Sequence, residues 1–268
     1  MSEAPSIRFD DGVAYERFMG RWSQLVGHAF LDWLAPAPGL RWLDVGCGNG
    51  AFTELIAQRC VPASIDGVDP SEAQLVYARQ CAVAAQATFV AGDAMALPYE
   101  AQRFDVTVMP LVIFFVPDPA LGVAEMVRVA APGAWVTAYA WDMLGGGFPY
   151  APVRDALHTL GASAPAPPSP AASKLEALQA LWTDAGLQEV ETRTITVART
   201  FESFDDYWET VLLGPSIQPT LATLSAQQFE QMQAMLRERL TPDAQGRITW
   251  SATANAVKGR VPALKEHA

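Results

Sequence analysis

Positive charge is scarce in this chain. Lysine and arginine number 18 against 29 aspartates and glutamates, a formal net charge of −11. A nucleic-acid partner would need a basic stripe to meet its phosphates, and this composition supplies none, so no nucleic acid is expected. Cysteine is also sparse. Cys47, Cys60 and Cys81 lack the number and spacing of a disulfide framework or a metal site and read as reduced thiols. The three histidines are too scattered for a zinc motif, so no metal is expected. Long apolar runs are missing too. The best candidate, VMPLVIFFV, is about half the ~20 residues of a membrane span. The opening MSEAPSIRFDDG carries acids where a secretory leader needs positive charge, which argues for a cytoplasmic protein.

What is present is apolar. Half of the 268 residues are hydrophobic and 18% are charged, enough for one large domain with a well-buried core. Trp22, Leu25, Val26, Ala29, Phe30, Trp33 and Leu34 fall at helical spacing, and APAPG ends that helix. Strands and helices then alternate. RWLDVG, SIDGVD, ATFVAG, FDVTVMP and AWVTAYA read as strands, with helices at Ala51–Cys60, from Ser71, and from Asp118–Pro119 to the APG at Gly133. That alternation argues for a parallel sheet covered on both faces. GASAPAPPSPAA, residues 161–172, reads as an exposed, mobile connector. A helix over Lys174–Ala185, a strand near Val190–Val197 and two further helices follow, the last with Phe229, Met232, Leu236 and Leu240 on one face. ITWSATANAV alternates at period two and reads as an antiparallel last strand.

The chemistry centres on LDVGCGNG, residues 43–50. Gly46, Gly48 and Ala51 formally satisfy the dinucleotide pattern, in which a pyrophosphate sits at a helix N-terminus. Asp44, two residues before the first glycine, would then face an anion. S-adenosylmethionine (SAM) has no phosphate; it carries an ammonium and a sulfonium, and a carboxylate suits both. Asp69 ends the second strand, 21 residues beyond Gly48, and can accept both ribose hydroxyls, although it would serve a dinucleotide equally well. Asp93 follows the third strand and can accept from the adenine amino group, leaving the Ala94 N–H for a ring nitrogen. Cys47 stands at a helix N-terminus, where thiol pKa values fall, but in this turn it is expected to lend its backbone.

LDVGCGNG, GVDPSE, AGDAMALPY, FDVTVMPLVIFFVPDP and VAAPGAW stand in the order and spacing of class I SAM-dependent methyltransferases. The chain resembles the bacterial small-molecule group similar to ubiquinone/menaquinone-biosynthesis methyltransferases, well over residues 15–140 and architecturally beyond. The resemblance implies a Rossmann-like α/β fold: seven mostly parallel strands, the last reversed, with helices on both faces. It implies one domain over residues 1–268. Residues 1–40 would be an N-terminal helical lid, 41–142 a SAM-binding core, and 143–268 an acceptor-side part with a helical insertion at 203–240. Gly46, Cys47 and Gly48 would contact SAM through the backbone, Pro70 would pack on adenine, and Met109, Pro110 and Leu111 would line the methionine arm. Methyl transfer to a small, apolar or aromatic acceptor would leave S-adenosylhomocysteine.

Several residues keep two readings. Tyr15 and Arg21 belong either to a lid, as the resemblance to enzymes such as glycine N-methyltransferase suggests, or to a hydrophobic staple before the helix. In the lid, Arg21 would pair with the SAM carboxylate. Asp142 is a candidate base or acceptor contact at the end of the fifth strand, and equally a turn residue before GGG. Trp141, Tyr150, Tyr207 and Trp208 are expected around an acceptor cavity roofed by the N-terminal segment and the 203–240 insertion. Rival functions are a SAM-binding protein that methylates nothing and an NAD-dependent oxidoreductase. The expected outcome in a melting experiment is that SAM and S-adenosylhomocysteine raise Tm and NADH does not. A ligand at a hundredfold excess over Kd should stabilise by about 2.7 kcal/mol, and a shift with NADH alone would reverse the assignment.

Overall fold

The computed structural model describes residues 16–215 and 217–263. A short π-helical turn, Glu16–Gly20, leads into α1 (Arg21–Leu34), whose buried face carries Trp22, Val26, Phe30 and Leu34. The chain then alternates through β1 (Arg41–Val45), α2 (Ala51–Arg59), β2 (Ser64–Asp69), α3 (Glu72–Ala78), β3 (Ala87–Ala91), β4 (Phe104–Pro110), α4 (Pro119–Val129) and β5 (Ala130–Trp141). Asp118 caps α4 by accepting from Leu121 N, with Pro119 in the first turn, where its missing N–H costs nothing. The second half adds α5 (Ala151–Thr159), α6 (Leu175–Asp184), β6 (Gln188–Phe201), α7 (Phe204–Leu212), α8 (Gln218–Leu221), α9 (Ala226–Arg239) and β7 (Ile248–Arg260).

These strands form one seven-stranded sheet in the order β3-β2-β1-β4-β5-β7-β6. β7 runs antiparallel to both β5 and β6, and the pairings among β1 to β5 are parallel. This is the Rossmann-like seven-stranded architecture with a reversed last strand. The strand order reverses between β1 and β4, and open α/β sheets bind ligands at the carboxyl ends of the strands flanking such a point. Side-chain bonds pin the reversed strand: Thr137 Oγ1 donates to Val257 O at 2.7 Å, and Asn255 Nδ2 donates to Ser173 O at 3.0 Å. β6, at the edge, leaves charged side chains such as Glu189, Glu191 and Arg193 outward, which blunts edge-to-edge pairing.

Two features depart from the sequence reading. α5 is absent from it. Proline at the second position and three preceding glycines obscure a short apolar series, Val153, Ala156 and Leu157, which the fold buries. The proline-rich connector is exposed at Gly161, Ser163, Ala166, Pro168 and Ala171 but packs inward between them. Pro167 is buried, Ala162 and Ala164 pack on the core, and Ser169 N donates to Phe114 O at 3.0 Å. Prolines suit that place because they bring no N–H that an apolar wall would leave unsatisfied.

The N-terminal turn is tied down through its main chain. Tyr150 Oη donates to Phe18 O at 2.6 Å, and Arg199 Nη1 donates to Arg17 O and Phe18 O at 3.1 and 3.3 Å. The Phe18 and Tyr150 rings stack with centroids 4.2 Å apart. Tyr150→Phe keeps that stack and removes one hydrogen bond, so it should cost about 1 kcal/mol and lower Tm by about 2–4 °C. An unchanged thermal midpoint would show that the hydroxyl adds nothing to the tether.

Candidate functional site

A cavity of about 560 Å³ opens at the carboxyl ends of β1, β2 and β4, where the strand order reverses. Its floor is the glycine turn. Gly46, Gly48 and Gly50 have φ of +76°, +53° and +85°, the left-handed region that side chains disfavour. At Gly46 space also forbids a side chain: a Cβ would overlap Val112 Cγ2 and lie 2.7 Å from Val112 Cγ1. The turn satisfies its own donors. Gly46 N and Cys47 N donate to Val68 O at 2.7 and 3.1 Å, Gly50 N donates to Cys47 O at 2.9 Å, and Gly48 N donates to Asp69 Oδ2 at 2.9 Å. A pyrophosphate needs such N–H groups for itself. Here they are engaged, and no lysine or arginine lines this cavity among the described residues.

Among the described residues a single carboxylate stands in the lining instead. Asp69 lines the cavity, its Oδ1 accepting from Ser71 N at 2.8 Å. Burial raises its pKa, and the Ser71 and Gly48 N–H bonds pull it back. Asp44 lies fully buried. Its Oδ2 accepts from Thr53 Oγ1 at 2.7 Å, and its Oδ1 has no hydrogen-bond partner among the described residues. Burial pushes its carboxyl up to about 7; the Thr53 bond opposes the shift and the nearby Asp69 charge adds to it. Cys47 lines the cavity as a buried thiol whose pKa is raised, first by burial and then by Asp44 and Asp69, the opposite of an activated nucleophile. Asp69 in the lining, the Asp44 carboxyl buried two residues before Gly46, and no lysine or arginine in the lining among the described residues fit a positively charged nucleoside, and fit a dinucleotide poorly.

A second, smaller cavity of about 70 Å³ adjoins the first; Leu111 and Phe115 line both. Leu111 holds φ +60° as a non-glycine residue, fixed by its N–H donating to Tyr139 O at 2.7 Å. Strain of this kind needs surroundings that over-determine it and gathers at ligand sites. The walls are mostly apolar: Phe18 and Met19 from the N-terminal turn, Trp141 at the end of β5 and Met143 after it, Pro165 and Pro167 from the connector.

The expected site residues divide accordingly. Gly46, Cys47, Gly48, Asp69, Pro70, Pro110 and Leu111 line the large cavity, and Trp141 the small one; Asp44 lines neither, because its β1 side chain is fully buried. Met109 does not: it is fully buried in the core, because alternate strand residues face opposite sides of the sheet. Asp93 is exposed, with Oδ1 accepting from Met95 N at 2.8 Å, and neither it nor Ala94 lines a cavity. Arg21 is exposed on α1, while Gly20 and Ser23 beside it reach the large cavity. Tyr15 lies outside the described residues. Asp142 is held in its turn, Oδ1 accepting from Gly145 N at 2.8 Å, and lines neither cavity. Tyr150 stacks on Phe18 of the small cavity's wall and Tyr207 lies behind it against Tyr150, whereas Trp208 lies elsewhere. Tyr207 packs edge-on against Phe201 at 5.1 Å, and Trp208 lies between Phe204 and Phe229. From the insertion, Ile217 reaches the wall instead.

Sequence reasoning missed Phe114, Phe148 and Arg154 on the small cavity, and Ser71, Gln74 and Tyr139 on the large one. Gln74 carried a signal, three residues after Ser71, but that spacing is also explained by the helix cap, whose Gln74 N donates to Ser71 Oγ at 3.4 Å. Among the described residues no helix is long and apolar enough to cross a membrane, and no cluster of three metal-ligating side chains occurs.

Residues 43–138 match the Methyltransferase domain family. The chain is 39% identical over 109 residues to the ubiquinone/menaquinone biosynthesis C-methyltransferase UbiE of Cereibacter sphaeroides, covering 39% of this chain and 44% of that protein. It matches the ubiquinone biosynthesis O-methyltransferase of Hahella chejuensis with the same identity and coverage. It thus spans less than half the length of these relatives. In fold it is similar to phosphoethanolamine N-methyltransferase 2 of Haemonchus contortus in complex with S-adenosyl-L-methionine, with a TM-score of 0.59, 19% identity, and 97% of this chain and 61% of that one covered.

Asp44 makes stability depend on pH. Its folded pKa, about 7, exceeds the ordinary 3.8, so between those values the folded state holds a proton that the unfolded chain has lost. The protein therefore loses stability as pH rises from about 4 to 7 and is level above, by up to about 4 kcal/mol. Asp44→Asn removes this term. In denaturant titrations the stability gap between the variant and the parent protein should widen from pH 5 to pH 8 in favour of the variant. A gap independent of pH would mean Asp44 is ionised at little cost.

Proposed function

We propose that this chain, whose residues 43–138 match the Methyltransferase domain family, is a SAM-dependent enzyme that transfers a methyl group to a small apolar molecule seated in the cavity behind Leu111. The observation that carries the proposal is the junction itself: a cation-free, carboxylate-bearing cavity at the strand-order reversal meets an apolar one across Leu111 and Phe115. Bound in the larger cavity, SAM supplies a sulfonium-borne methyl group as electrophile. Asp69, already oriented by Gly48 N and Ser71 N, would accept the ribose hydroxyls. Pro70 and Gln74 would flank the base, and Asp44 beneath the turn would compensate the positive charge of the methionine end.

On the acceptor side the chain has positioning to do rather than acid–base work. No carboxylate or histidine lines the small cavity among the described residues, and the Asp142 carboxylate is engaged by its own turn. Holding an acceptor atom in line with the methyl group, with water excluded, can account for most of the acceleration of such a displacement. Phe18, Met19 and Trp141 form that dry wall. The tether on Phe18 O keeps the N-terminal turn closed over it.

The test is turnover of SAM to S-adenosylhomocysteine across a panel of small aromatic and aliphatic acceptors. Trp141→Ala should lower kcat/KM for an active acceptor by at least about tenfold, on the order of 1.4 kcal/mol, and leave S-adenosylhomocysteine affinity within about twofold. Trp208→Ala, off the wall, should lower Tm instead. If no acceptor is consumed while SAM binds, the chain is a SAM-binding protein and not an enzyme of this kind.

A further inference from the structure

Among the described residues the small cavity contains one charged group. Arg154 lines it beside aromatic, aliphatic and proline side chains, and among the described residues it makes no ion pair and no side-chain hydrogen bond. This sets it apart. Arg17, Arg41, Arg59, Arg79, Arg103 and Arg128 are ion-paired, as are Arg237, Arg239, Arg247 and Arg260. Arg199 is hydrogen-bonded to carbonyls, and Arg21 and Arg193 are exposed to water. The acidic neighbour that could have neutralised Arg154, Asp155, turns away to pair with Arg239 at 2.6 Å.

We infer that Arg154 is the specificity residue of the acceptor cavity and recognises an oxyanion, so that the acceptor is an apolar acid rather than a neutral molecule. This rests on the reading of the small cavity as the acceptor site. A partly buried guanidinium without a counter-ion is costly, and an incoming anion that it can bind through two parallel hydrogen bonds removes that cost. Burial lowers the Arg154 pKa, and the Asp155 charge opposes this only in part. The group is held in place from one side, its Cζ 5.6 Å from the Phe148 ring centroid. It also projects from the first turn of α5, where Arg154 N donates to Tyr150 O and the helix dipole favours negative charge nearby. The two cavities are thereby charged oppositely, the Asp69 carboxylate on the side for the cationic nucleoside and a guanidinium on the side for its partner.

The experiment uses benzoate and its neutral counterpart benzamide as probes, titrated by calorimetry into the full chain saturated with S-adenosylhomocysteine. Benzoate should bind at least about tenfold more tightly than benzamide, the range of one charge-assisted contact. Arg154→Met, which keeps most of the apolar stem, should abolish the preference, and Arg154→Lys should retain part of it. S-adenosylhomocysteine affinity should stay within about twofold in both variants. Equal binding of the two probes, or a preference that survives in Arg154→Met, overturns the anion assignment and leaves the acceptor site standing. Loss of S-adenosylhomocysteine affinity in both variants would overturn it differently, by assigning Arg154 to the methionine carboxylate. If neither probe binds while S-adenosylhomocysteine does, the acceptor-site reading fails and this inference with it. Should Arg154→Met not fold, the Lys variant and Arg154→Gln provide the same comparison.

Discussion

The contact between Gly46 and Val112 is the steric constraint on which both cavities depend. A glycine at the end of β1 lets the loop after β4 come close enough that any side chain would collide with it. The two strands at the reversal of sheet order are thereby drawn together at their carboxyl ends. Leu111, next to Val112, holds its positive-φ conformation through the bond to Tyr139 O and stands between the cavities. The glycine turn, with its donors satisfied internally, presents a face that neither attracts phosphate nor needs it.

Electrostatics builds on that frame. Asp44 is fully buried with one oxygen unpartnered, an arrangement that opposes folding at neutral pH. Natural cores rarely retain such a group without a role, and local departures of this kind mark functional sites more often than structural ones. A cationic ligand is what would relieve it. The aromatic pairs around Phe18, Tyr150 and Tyr207 serve a different purpose, supplying a rigid rear wall with little side-chain entropy left to lose.

Much of this was legible beforehand because the informative residues act locally. The glycines of residues 46–50, the Asp118–Pro119 helix start and the period-two alternation of residues 248–257 each fix a conformation through their own chemistry. Asp69 follows from its place at a strand end, while Pro70, Pro110 and Leu111 follow from the resemblance to methyltransferases. What was not legible depends on distant partners. Nothing near Met109 in sequence tells that it turns to the core, and Tyr207 and Trp208 look the same whether an aromatic lines a cavity or supports one. Arg154 was hidden because α5 was hidden: a proline, three glycines and only a short apolar series gave no helical period. The connector misled for the opposite reason, since proline-rich segments usually lie in water and this one faces an apolar wall.

The N-terminal turn is gripped by its carbonyl oxygens, which Tyr150 and Arg199 would find on any residue at those positions. Grip and lining are therefore separable. Met19 faces the cavity but takes no part in the hydrogen bonds that hold the turn. The shape of the cavity can thus change by exchange at such a position while the hydrogen bonds that anchor the turn are kept, so that lining and anchorage can vary independently.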